Sequence, residues 1–110
     1  MGTTNQEYRY QSMSIETATA DKDIKADITG LFDELSNVWY VKIESTKAIS
    51  VKVNFSSNDT LPIAANWELV IWEYFLPIRS ISNLYVTNAS WDTATVEITI
   101  AGEALATNKI

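Results

Sequence analysis

The side chains best able to do chemistry in this chain are carboxylates, and their spacing argues against catalysis. None of the 110 residues is a cysteine or a histidine. That removes thiolate nucleophiles, disulfides, thiolate metal sites and the usual general base near neutral pH. Glu68 and Glu73 share one strand-like run. A glycoside-cleaving pair must face a common cleft a few ångströms apart, whereas positions five apart on a strand project to opposite faces. Asp21, Asp23 and Asp27 offer oxygen ligands for Ca²⁺, but the stretch lacks the glycine and closing glutamate of a calcium loop, and Lys22 and Lys25 interleave. A solvated acidic edge is the simpler reading. No enzyme activity, cofactor or metal is expected.

Charge narrows the partners. Fourteen acidic residues outnumber eight basic ones, for a formal net charge of −6. The basic residues are scattered, so neither a nucleic-acid backbone nor an anionic membrane surface is an expected partner. No apolar run approaches the roughly 20 residues of a bilayer helix. The opening MGTTNQEYRY has neither the basic nor the apolar region of a secretory signal. Asn54, Asn58 and Asn88 begin N-x-[S/T] patterns that chance explains in so Asn- and Ser/Thr-rich a chain.

The elements that must position these residues read as strands. In 79–102, Leu84 and Val86 alternate with polar neighbours, as do Val96, Ile98 and Ile100; the turn formers 88–93 lie between. This predicts an antiparallel hairpin with one buried face. Residues 7–15 read as a strand whose buried face is open, because Tyr8 and Tyr10 on one side are amphipathic. Residues 17–22 read as a polar connection and 23–26 as a short strand. Ile28, Leu31, Phe32 and Leu35 fall on one helical face, with Asp27 a candidate cap. Gly30 limits that element to a turn or two.

Residues 38–44 place Trp39, Val41 and Ile43 on one face, and 48–55 place Ile49, Val51, Val53 and Phe55 likewise. The link 45–47 is short enough for a hairpin. Residues 61–65 suggest a short strand, with Pro62 pointing to an edge. Residues 67–75, WELVIWEYF, are apolar on both faces. Seven or eight short strands at intervals of about ten residues, with one short helical turn, predict an all-β antiparallel sandwich, jelly-roll or Ig-like. The chain reads as one domain over 1–110, with loose tails at 1–6 and 103–110.

Two aromatic features remain. The two-faced run 67–75 is either a central strand covered on both sides or a face shared with another molecule, since Trp and Tyr are enriched at interfaces. Trp91 sits in the link 88–93, either folded over the sandwich end or free to anchor in a neighbour or a sugar. The candidate contact residues are therefore Trp67, Trp72, Tyr74, Phe75 and Trp91.

The phrase ISNLYVTNAS at 81–90, TATVEITI at 93–100 and the closing Gly102 resemble small virion proteins of tailed bacteriophages, as does the pair of strands within 38–55 followed by Ser57, Asn58 and Asp59. That family favours small residues at the hairpin tip, from which Trp91 departs. The resemblance implies a β-sandwich that decorates capsids or builds head fibres and tails. The expected function is a non-enzymatic capsid decoration, or cement, protein in the virion, made in the host cytoplasm. Its expected partners are the major capsid protein, other virion proteins and further copies of itself. The alternative is a carbohydrate-binding or adhesin module of a phage fibre or tail.

Overall fold

The computed structural model of the protein describes residues 6–72 and 80–104. Among these, eight strands form two antiparallel sheets of four. Sheet I has the order β1 (Gln6–Ile15), β8 (Ala94–Ala104), β3 (Leu35–Ser45), β6 (Trp67–Trp72). Sheet II has the order β2 (Thr19–Asp23), β7 (Leu84–Asn88), β4 (Ile49–Val53), β5 (Leu61–Ile63). This wiring is a jelly roll rather than an Ig-like sandwich.

The core is the inner faces of both sheets, and period-two alternation puts it there. Val41, Ile43, Ile71, Val96, Ile98 and Ile100 of sheet I meet Val51, Leu84 and Val86 of sheet II, all fully buried. Each such side chain contributes about 1.5–3 kcal/mol on leaving water. On β1 the inward face carries Met13 and Ile15, and the tyrosines point out.

The expected hairpins are absent. β7 pairs with β2 and β4, and β8 pairs with β1 and β3. The link after Asn88 is thus a corner between sheets. Likewise β3 and β4 lie in different sheets, although only three residues join them. Three extended residues span about 10 Å, the distance between packed sheets. Alternation reports that one face is buried; it does not say which strand lies alongside.

Other expectations shift locally. The polar connection after Ile15 contains β2, and residues 24–27 form a helical turn, α1, where a strand was expected. Asp23, not Asp27, caps α1, accepting from the Ala26 amide at 3.0 Å. The expected helical face dissolves into α1 and a 3₁₀ turn at Phe32–Glu34, yet Leu31, Phe32 and Leu35 are still buried. β4 ends at Val53, and Asn54 turns the chain with φ +69°. Phe55 is therefore exposed rather than on the inner face. Gln6, Glu103 and Ala104 belong to strands, not tails.

Candidate interaction surface

β6 is an edge strand of sheet I, not the central strand that one reading of 67–75 required. Its inward residue Ile71 is fully buried, while Trp72 on the outer face is 44% exposed. Cross-strand partners project to the same face of a sheet, so the pairing registers lay the outer face out in rows. One row runs Tyr8–Ala101–Tyr40–Trp72, the next Tyr10–Thr99–Lys42–Val70, and the third Ser12–Glu97–Glu44–Glu68.

The first row holds an aromatic cluster. The ring centroids of Tyr40 and Trp72 lie 5.7 Å apart, edge to face, and Trp39 sits 5.7 Å from Tyr40 and 6.2 Å from Trp72. Such tilted pairs each contribute about 0.5–1.5 kcal/mol beyond burial. The Trp39 indole donates to Gln6 Oε1 at 3.0 Å. Tyr8, at the far end of the row, is 72% exposed.

A bulge in β3 puts Trp39 on this side. Ser36 pairs with Glu103 and Tyr40 with Ala101, so Asn37, Val38 and Trp39 all stand opposite Gly102. Asn37 takes φ +48°, a region asparagine tolerates. Val38 then occupies the core position and Trp39 leaves it. This reverses the expected face of Trp39. Gly102 permits the bulge: a Cβ there would sit 2.8 Å from the Ser36 carbonyl oxygen and 3.0 Å from Val38 Cα.

The third row opposes three carboxylates on neighbouring strands, which is unfavourable unless countered. Lys42 reaches Glu44 at 3.1 Å, and the Tyr10 hydroxyl donates to Glu97 at 2.8 Å. The hydrogen bond to Glu44 holds the Lys42 ammonium pKa above its usual value, and the one to Glu97 raises that of Tyr10. Glu44, Glu68 and Glu97 border an open hollow of about 440 Å³ with Trp67 at its rim.

The candidate contact residues are thus dispersed. Trp72 lies in the cluster. Trp67, 68% exposed, lies at the other end of β6, about 16 Å away along the strand. Trp91 is 96% exposed at the corner between β7 and β8, so it does not fold over the sandwich end. Tyr74 and Phe75 fall outside the described residues, as does Glu73. Tyr8, Trp39 and Tyr40 were missed as contact candidates. Alternation put Tyr8 and Tyr40 on faces away from their neighbours' apolar side chains but could not bring those faces together, and the bulge hid Trp39.

The acidic side chains 21–27 serve the fold. Asp21 pairs with Lys52 at 3.2 Å and Asp27 with Lys22 at 3.6 Å. Asp23 accepts from the Asn83 side chain at 2.7 Å as well as from Ala26, and these bonds hold its pKa below the ordinary carboxylate value. Among the described residues, no group of three or more acidic side chains is placed to hold a metal ion.

No family model matches the chain, and no curated protein matches it. Among solved structures, a chain from the work titled "Bacillus endospore appendages form a novel family of disulfide-linked pili" has a similar fold. Its TM-score is 0.54 at 13% identity, over 94% of this chain and 93% of that one. At that identity the likeness speaks for the sandwich fold alone.

Proposed function

We propose that the chain is a non-enzymatic structural subunit of a tailed-bacteriophage virion, a capsid decoration protein that docks through the outer face of sheet I. The observation carrying this is the aromatic row Tyr8–Tyr40–Trp72 with Trp39 on the outer face of the sheet, where Tyr8 and Trp72 are exposed. Four strands about 4.8 Å apart, three of ten or eleven residues and one of six, make a plane of roughly 600 Å² before side-chain relief. A stable interface takes about 800 Å² per partner, so most of this face has to be used. Tyr and Trp suit such a role, giving large contact area for few rotatable bonds. The pilus structure shares the sandwich fold and no more than that. This cysteine-free chain must hold its contacts without the disulfides of those pili.

The test is co-sedimentation with purified capsids, alongside sedimentation velocity of the protein alone. The reading expects particle binding that falls at least tenfold in a Tyr8→Ser/Trp72→Ser variant. A strictly monomeric protein that ignores capsids would overturn it. The almost fully exposed Trp91 favours a second reading, a glycan-binding or adhesin module of a fibre or tail. Glycan titration that quenches tryptophan fluorescence, and is lost in Trp91→Ala, would support that reading; silence across many glycans would remove it.

A further inference from the structure

The four sheet edges are not protected alike. Exposed strand edges invite pairing with other chains, and proteins blunt them with proline, lysine, bulges or shortness. Sheet II is blunted at both sides. β5 is three residues long and carries Pro62. β2 carries Lys22, and its register breaks between Thr19 and Lys22, with Asp21 at φ +48°. Sheet I is not. β6 presents Trp67-Glu-Leu-Val-Ile-Trp72, with no proline, lysine or bulge. β1 runs ten residues in unbroken register with β8. The one cation of β1, Arg9, is already engaged by Glu7 at 2.9 Å and Glu34 at 3.1 Å. Among the described residues, no strand covers the outer side of either.

We infer that copies of this chain join head to tail, β6 of one copy pairing with β1 of the next, so that sheet I continues from subunit to subunit. The inference rests on the structural-subunit reading above and names its partner as a second copy. Three features select this arrangement. First, each strand of sheet I is antiparallel to its neighbour, so β6 runs opposite to β1. A copy shifted sideways in the same orientation then offers β1 to β6 in the antiparallel sense. Second, this one contact covers both unprotected edges. A two-fold contact of β6 with β6 leaves the ten-residue β1 edge open.

Third, the rows continue. The register that extends them sets Trp72 against Tyr8, Val70 against Tyr10 and Glu68 against Ser12 of the next copy. In these three pairs aromatic meets aromatic and no like charges are opposed. Such a head-to-tail contact builds a ring if its rotation closes and a filament if it does not.

Absence of native cysteine makes the test clean. Ser12 and Glu68 are exposed and stand on opposite edges of sheet I, three strand spacings or about 14 Å apart within one copy. A disulfide within one copy is therefore excluded, and Ser12→Cys/Glu68→Cys leaves every aromatic in place. Under mild oxidation the double variant is expected to give a ladder of dimers, trimers and higher species on a non-reducing gel, collapsed by reductant. Each single variant has no cysteine across the contact, since like positions in successive copies are four strand spacings apart, and should run as monomer. Circular dichroism of the reduced variants confirms that both are folded.

A double variant that stops at dimer, or wild type that sediments as a monomer at every concentration, overturns head-to-tail pairing. If that monomer still binds capsids, the docking reading stands without it. If it oligomerises but gives no ladder, association through the sheet face remains and edge pairing is removed.

Discussion

Asn88 should be among the costliest single residues to replace, although it touches no candidate interface. It is fully buried at the corner where the chain leaves sheet II for sheet I. Its amide nitrogen donates to the Ile15 carbonyl at 2.8 Å and the Asp92 carbonyl at 2.9 Å. Its oxygen accepts from the Ser90 amide at 3.0 Å and the Ser90 hydroxyl at 2.6 Å. That exhausts the four bonds an asparagine side chain can make. Asn88→Ala removes all four, each contributing about 1 kcal/mol net, and leaves the Ile15 carbonyl unpaired at about 1–3 kcal/mol; partial relaxation gives roughly 3–5 kcal/mol in total. With a urea m-value of about 1–3 kcal/mol/M, the midpoint falls by roughly 2 M. Asn88→Asp places an acceptor-only carboxylate against two carbonyl oxygens. Burial and those oxygens push its pKa up, so the deficit grows as pH rises above the ordinary carboxylate value of about 4 and shrinks below it. Urea unfolding of both variants at pH 7 and pH 4 checks this. A loss below about 1 kcal/mol in Asn88→Ala, or no pH dependence distinguishing Asn88→Asp, would refute the role given to the corner.

Gly102→Ala forces a methyl group into backbone atoms of the β3 bulge at 2.8 and 3.0 Å; the cost is about 1–3 kcal/mol, with a near-UV circular dichroism change as Trp39 is displaced. Trp91→Ala removes a side chain with almost no contact and should shift stability by less than about 0.5 kcal/mol in the same unfolding assay. Because the Asp23 pKa is depressed in the folded state, its stabilisation is present above the unfolded value near 3.9 and is lost as pH falls through the lower folded value. The melting temperature of wild type should therefore fall more steeply below pH 4 than that of Asp23→Asn, measured by calorimetry.

The fold class was legible because it depends on period-two burial, and Val96, Ile98 and Ile100 alternate without exception. The wiring was not legible. Whether 88–93 closes a hairpin or turns a corner depends on where Ile15 lies, 73 residues away in sequence from Asn88. Faces were readable only where the register is unbroken. Trp39 was assigned to the core because the bulge at Asn37 adds residues that alternation does not count, and Gly102, its steric requirement, lies on another strand. Trp72 was legible as a candidate because tryptophan on a two-faced strand has few reasons to be exposed. Tyr8 and Tyr40 become candidates only when β1 and β3 are placed on either side of β8.

The most direct test of docking through the outer face of sheet I is hydroxyl-radical footprinting of the aromatic side chains, comparing dilute protein with protein bound to capsids. Tyr8, Tyr40 and Trp72 should lose most of their reactivity on binding. Phe55, exposed beyond sheet II, should keep its own. Equal reactivity of the Tyr8–Trp72 row in the two states, with protection elsewhere or nowhere, would contradict the proposed interface.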